Sequence, residues 1–226
     1  MSGIRVISSM ATRQLLADLV ARWQGSSPVD VESVGGVEAA RRVRTGEAFD
    51  AVVLAAGAID ELIEAGLLVA DSRVDLVRSA VCVAVRSGTA HPDLSSAQAV
   101  RAAVLAARTV GYSTGPSGVA LQKQFAQWGI ADEVKEKLVQ APPGVPVGSL
   151  LARGEVELGF QQLSELMSVQ GIDVVGPLPP AIQVTTTFSA GVTRRAADVA
   201  QARALLRFMT SPGLADIKRA NGMEPA

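Results

Sequence analysis

Apolar and polar residues alternate along this chain with two different periods. Short β-branched or continuously apolar runs, residues 4–7, 29–34 and 51–54, each pass through small or polar residues into stretches with helical spacing. Residues 11–23 place Leu15, Leu16, Leu19, Val20 and Trp23 on one helical face. Residues 37–45 predict a short basic helix ended by Gly46, and residues 58–65 a helix stopped by Gly66. The run 51–54 has no polar alternation, as expected of a strand buried on both faces of a parallel sheet. Strand, loop and helix repeating at this length predict an α/β fold.

The second half continues the theme. Residues 75–86 form a strand-rich run leading into the turn cluster 87–93, which reads as a connection between lobes. A helix over 95–107 has Ser95 or Ser96 as its cap. Thr109, Val110 and Tyr112 then form a β-like run that breaks into the Ser/Thr/Gly/Pro loop 113–118, followed by a helix with Val119, Leu121, Phe125 and Trp128 as apolar positions. Residues 141–146 are too proline-rich for an element interior. Beyond them the pattern predicts a helix at 147–153 and a strand at 158–160 that runs into Gln161 and Gln162. A return strand at 184–192 and helices at 198–209 and 214–220 complete the chain.

Composition removes several function classes. With 21 basic against 22 acidic residues, interspersed, and only 4% aromatics, there is neither a phosphate-tracking face nor a stacking platform for nucleic acid. The single cysteine, Cys82, lies in an apolar run and reads as a buried structural thiol, so no disulfide forms within the chain. One histidine and one cysteine supply no zinc ligand set, and neither a P-loop nor a dinucleotide fingerprint is present, so no metal and no cofactor is expected. Residues 111–115 match G-x-S-x-G, but the only histidine, His91, precedes the serine and sits in a His-Pro-Asp turn, which does not make a hydrolase triad. Arg5, Arg13 and Asp18 interrupt the first twenty residues, so no signal-peptide core is visible and no run is long enough to span a bilayer. As written, the chain is expected to be cytoplasmic, and periplasmic if a leader has been removed.

The candidate chemistry lies at the strand ends. Residues 8–9, 55–57, 113–118 and 161–162 are turns of small or polar residues leading into helices, and in an open α/β sheet such turns converge on a crevice at the carboxyl ends of the strands. Hydroxyls, amides and helix N-termini, with little charge, suit a small anion. The candidate ligand groups are the hydroxyls of Ser8, Ser9, Ser113 and Ser117, the backbone N–H of Gly118 and the amides of Gln161 and Gln162. Arg13, in the first turn of its helix, can pair a second carboxylate. Taken singly, each turn is also explained by capping alone: Ser117 reads as an N-cap and Gly115-Pro116 as a tight turn.

Five segments in this order resemble the type II periplasmic solute-binding proteins of the molybdate-binding class: I-R-V-I-S-S-M-A-T-R-Q-L-L (4–16), residues 45–68 with their Gly-Glu lead-in, S-T-G-P-S-G (113–118), A-R-G-E-V-E-L-G-F-Q-Q-L-S-E-L (152–166) and A-L-L-R-F-M-T-S-P-G-L (204–214). The resemblance implies two α/β lobes joined by two crossover strands, residues 1–84 with 185–226 and residues 85–184, closing by a hinge on a small anionic ligand in the cleft between them. It implies a monomer and, if the chain is exported, an ABC-transporter membrane component as partner. Two places depart from that class: Ala55-Ala56-Gly57 stands where a serine is usual, and Gln161-Gln162 where a tyrosine is usual. Together with G-P-L-P (176–179) and Q-Q-x-S-E (161–165), these are closer to aconitate isomerase-like proteins, and they favour a carboxylate ligand over a tetrahedral oxyanion. The alternative function is then a cofactor-independent isomerase of a small tricarboxylic acid. Asp50 reads as a loop tether and Glu165 as a helix-start acid, so the catalytic base stays unassigned.

Overall fold

The computed structural model describes residues 3–226. They form two compact units, one of residues up to Ser79 with Thr186–Ala226 and the other Ala80–Thr185. The first unit begins β1 (Ile4–Ser9), a 3-10 turn (Met10–Thr12), α1 (Arg13–Val20), β2 (Val29–Val34), α2 (Gly36–Arg44), β3 (Ala51–Ala55) and α3 (Ala56–Glu64). The 13-residue β4 (Val74–Arg86) starts in this unit and ends in the other. The second unit continues with α4 (Ala97–Ala106), β5 (Val110–Tyr112), α5 (Pro116–Gln127), α6 (Ala131–Val134), β6 (Leu138–Gln140), α7 (Val147–Ala152), β7 (Leu158–Gln162), α8 (Leu163–Leu166) and β8 (Ile172–Pro177). The chain returns through β9 (Thr185–Val192) and finishes with α9 (Val199–Met209), α10 (Ala215–Ala220) and β10 (Glu224–Pro225).

In the first unit β1 pairs in parallel with β2 and β3, which places Ser8 opposite Ser33 and Ser9 opposite Val34. The carboxyl ends of all three strands therefore share one edge. Strand β9 runs antiparallel to β3, with Ala51 opposite Val192, and β10 pairs antiparallel with β4. Both faces of the sheet are covered, which is why β3 is apolar without alternation. Ile4, Val6 and Val53 pack with Leu15, Leu19 and Leu205 on one side, while Ile7, Val52 and Leu54 pack with Ile59 and Leu62 on the other.

In the second unit β5 pairs in parallel with β6 and β7, and the outer half of β4 runs antiparallel to β7 and β8. One face packs Val83, Val110 and Phe160 against Leu121 and Phe125, and the other packs Cys82 and Ala84 against Val147, Leu150 and Leu151.

Several sequence expectations change here. Ser8 and Ser9 belong to β1, and Gln161 and Gln162 to β7, because the ladders run to the last residues of the strands. The turn cluster 87–93 does not connect lobes: it lies within the second unit, where Asp173 accepts from Ser87 Oγ at 2.8 Å and lies 3.3 Å from His91 Nε2. The chain instead changes unit inside β4, an unbroken strand with no turn residues to mark the passage. Val119 is not a core position of α5 but is 52% exposed. Among the described residues no helix is long and apolar enough to cross a membrane.

Candidate functional site

In the first unit each parallel strand hands over to a helix with almost no loop. Gly35 is the N-cap of α2 and Ala55 that of α3, and neither offers a side chain to the first-turn N–H groups. Two helices have side-chain caps: Ser96 Oγ accepts from Ala99 N at 3.1 Å ahead of α4, and Asp198 Oδ1 from Gln201 N at 3.0 Å ahead of α9. The helix starts at the strand ends are left for other acceptors.

The two serines of β1 have different roles. Ser8 is fully buried, its Oγ 2.7 Å from Ser33 Oγ and within 3.3 Å of the Ser9 carbonyl. Ser9 is only 7% exposed, yet its Oγ has no hydrogen-bond partner among the described residues. A β-carbon on Gly36, the first residue of α2, would stand 3.7 Å from the β-carbon of Ser9, so this unpaired hydroxyl lies beside an uncapped helix start. Ser33 was not among the expected site residues, and its signal is only the parallel register that sets it against Ser8. Arg13 is exposed at the first residue of α1 and makes no hydrogen bond or ion pair among the described residues.

In the second unit the loop after β5 carries the paired hydroxyls of Ser113 and Ser117, 3.0 Å apart, with Gly115 N donating to Ser113 Oγ at 3.3 Å. Ser117 is not the N-cap of α5. That position is Gly115, Pro116 begins the helix, and Ser117 sits buried in the first turn. Gly118 has another role than the one expected from the sequence, since its N–H donates to Gly115 O at 3.0 Å and is not left for a ligand. It is glycine for space: a β-carbon there would lie 1.8 Å from the Ser113 carbonyl oxygen. Behind Ser117 is a cavity of about 10 Å³ lined by Val81, Leu121, Trp128 and Leu178, enough for roughly one water and not for an organic anion.

Gln161 and Gln162 are both buried and point to opposite faces of β7. Gln161 Oε1 accepts from Val147 N at 2.7 Å at the start of α7, and the same side chain hydrogen-bonds the Glu165 carboxyl. Both ends of Gln161 are thereby used inside the unit. Gln162 lies opposite Val81, on the Phe160 side of the sheet, against which α5 packs.

Glu165 is the acid that sequence reasoning set aside. Its carboxyl is enclosed although the residue keeps some surface at the head of α8, and burial pushes it up to about 7, only partly opposed by the Gln161 hydrogen bond. Carboxyls elsewhere move the other way: Arg42 holds Glu32 and Glu47 below the usual range, and Arg108 does the same to Glu157. Asp50 is a tether, accepting from Arg5 N at 2.8 Å and Ala197 N at 2.7 Å. Burial pushes the Cys82 thiol up to about 11, which suits a core residue and not a nucleophile. Among the described residues no three His, Cys, Asp or Glu side chains are grouped to hold a metal ion.

The two α/β units have the architecture of the type II periplasmic binding proteins. The chain belongs to the bacterial extracellular solute-binding protein family, whose model matches residues 4–224. It is 37% identical over 184 residues to an aconitate isomerase from a Pseudomonas species, covering 81% of this chain and 70% of that protein. Its fold is that of the periplasmic molybdate-binding protein of Azotobacter vinelandii, with a TM-score of 0.80 at 21% identity over 97% of this chain and 98% of that one. The sulfate-binding protein SubI from Mycobacterium tuberculosis is similar too, with a TM-score of 0.78 at 14% identity over 100% of this chain and 88% of that one.

Proposed function

We propose that this protein binds a small polycarboxylate anion, with the strand-end half-site of each unit contributing to one ligand and the units closing on it. The carrying observation is the Ser9 hydroxyl, buried without a partner beside the uncapped start of α2. Such a hydroxyl costs free energy unless a ligand accepts its proton or donates to it. The Ser113 and Ser117 hydroxyls, 3.0 Å apart, supply the matching group in the second unit. A carboxylate is favoured over a tetrahedral oxyanion because the β3 to α3 turn, Ala55-Ala56-Gly57, brings no hydroxyl, and because an aconitate isomerase is among the relatives.

The family is described as extracellular, and we place the working protein outside the cytoplasm, as a monomer that delivers its ligand to the membrane component of an ABC transporter. The test is a thermal-shift series. Aconitate, citrate and tricarballylate should raise the melting temperature more than molybdate, tungstate or sulfate, since a ligand of the folded state at a hundred times its Kd adds about 2.7 kcal/mol. A strong molybdate response with none to any tricarboxylate refutes the proposal.

A second reading, isomerisation of an aconitate-like acid, is favoured by one observation: the 37% identity to an aconitate isomerase over 81% of this chain.

A further inference from the structure

We infer that Arg13 sets the number of carboxylates the ligand must carry: one is held at the Ser9 hydroxyl beside the start of α2, and the Arg13 guanidinium pairs another one helical turn away. The inference deepens the polycarboxylate reading above and rests on it. Every group it uses lies in the first unit.

Two helix starts meet at Ser9. It is the N-cap of the 3-10 turn Met10–Thr12, which runs without a break into α1, and a β-carbon on Gly36 at the start of α2 would stand 3.7 Å from its own. Its backbone is extended, as an N-cap requires, yet its side chain caps neither helix. The hydroxyl is more than nine-tenths buried and has no partner among the described residues. Its neighbours are committed: Ser8 Oγ lies 2.7 Å from Ser33 Oγ, and Thr12 Oγ1 donates to the Ser9 carbonyl at 3.1 Å. Of these three hydroxyls only that of Ser9 is left for a group from outside, and the unpaired N–H groups of a helix start beside it select a negative one.

Arg13 follows Ser9 by four positions, so it stands on the same side of this helical segment, about one turn further on. It is exposed and makes no hydrogen bond or ion pair among the described residues. Nothing within reach on its own helix neutralises it, since the residues three and four positions to either side are Ser9, Met10, Leu16 and Ala17. Other helical arginines are provided for: Arg41 pairs with Glu38 and Arg219 with Asp216, each three positions back. Arg13 also opens α1 at the positive end of the helix dipole, with no acid in that first turn, where a cation is disfavoured. An anion arriving with the ligand relieves both defects. A guanidinium takes a carboxylate through two parallel N–H···O bonds. One turn rises about 5.4 Å, a distance that the terminal carboxylates of a short di- or tricarboxylate span and that a monocarboxylate or a tetrahedral oxyanion does not.

The experiment titrates tricarballylate, glutarate and butyrate, with three, two and one carboxylates on short chains, into the full-length wild type, Arg13→Gln and Arg13→Lys, and follows heat and melting temperature. Arg13→Gln should weaken tricarballylate and glutarate by about 10- to 100-fold. Arg13→Lys, which keeps the charge and loses the fork, should fall between it and the wild type. Butyrate should treat wild type and Arg13→Gln alike, and the unliganded melting temperatures should coincide because the residue is exposed. Tricarballylate binding in Arg13→Gln within about twofold of wild type overturns the role of Arg13 and leaves the polycarboxylate reading standing. A loss for butyrate as large as that for tricarballylate also overturns it, since the residue would then act on the site as a whole. A wild type that binds neither tricarballylate nor glutarate overturns both readings.

Discussion

Replacing Glu165 by glutamine tests the burial of that carboxyl independently of any ligand. In the folded chain the group is raised from 4.5 to about 7 by desolvation, with the Gln161 hydrogen bond opposing. Below about pH 4.5 the acid is protonated in both folded and unfolded chains, and its neutral form adds its full stability. Between there and about pH 7 the folded chain keeps a proton that the unfolded chain has released, so stability falls as pH rises; above that window the loss is complete. The shift corresponds to roughly 3 kcal/mol at about 1.4 kcal/mol per pH unit, an upper bound because the residue keeps some surface. The glutamine carries no charge at any pH and its oxygen can still accept from Gln161, although its own NH2 must find an acceptor. The variant is therefore expected to match or slightly trail the wild type at about pH 5 and exceed it by about 1–3 kcal/mol at about pH 8. At roughly 2–4 °C per kcal/mol for a chain of this size, calorimetric melting should show the two curves separating by several degrees. A wild-type minus variant difference that is the same at both pH values refutes a buried, neutral-titrating Glu165.

Three further variants probe the two half-sites and the scaffold. Ser8→Ala leaves Ser33 Oγ without its partner at 2.7 Å and should cost about 1 kcal/mol in urea denaturation, whereas Ser9→Ala removes a hydroxyl that has no partner, so stability should hold within about 0.5 kcal/mol while the ligand-induced melting shift disappears. Gly118→Ala drives a β-carbon to 1.8 Å from the Ser113 carbonyl oxygen, so the loop must move; a loss of about 1–3 kcal/mol together with the ligand response is expected, and an unchanged melting curve counts against the described loop. Asp50→Asn turns an amide NH2 toward either Arg5 N or Ala197 N, both of which need an acceptor, and should cost about 2 kcal/mol without altering the tricarboxylate preference of the folded protein.

How far the sequence could be read depends on whether each feature is local. The alternation of strands and helices is local, since the apolar spacing of residues 11–23 or 51–54 is decided by neighbours a few positions away, and those elements appear within two or three residues of their expected ends. The passage between units is not local: turn residues at 87–93 advertised a linker, while the chain crosses inside the featureless β4. The site divides in the same way. Ser9 and Ser117 are visible as hydroxyls at strand ends, but that Ser8 is spent on Ser33 depends on a register across 25 positions of sequence. Gly118 offered an N–H to a reader of the chain, and only the approach of the Ser113 carbonyl shows that the requirement is for space. Glu165 reads from the sequence as an acid placed to favour a helix start; the desolvation that raises its carboxyl to about 7 is set by tertiary packing, which no local pattern reports.

The caps carry this one step further. Ser96 and Asp198 show that the chain supplies capping side chains to α4 and α9. At the strand-end starts of α2, α3 and α5 it does not, and the caps there are Gly35, Ala55 and Gly115. Each omitted Ser or Asp forfeits about 1 kcal/mol, least where glycine stands in its place. On the proposed binding reading, an acceptor that arrives from outside recovers that energy and couples stability to occupancy. Loss of the binding response in Ser9→Ala, with stability kept, is the signature of that coupling; if a serine introduced at Ala55 stabilises the free protein and leaves tricarboxylate affinity untouched, the open helix starts have nothing to do with the ligand.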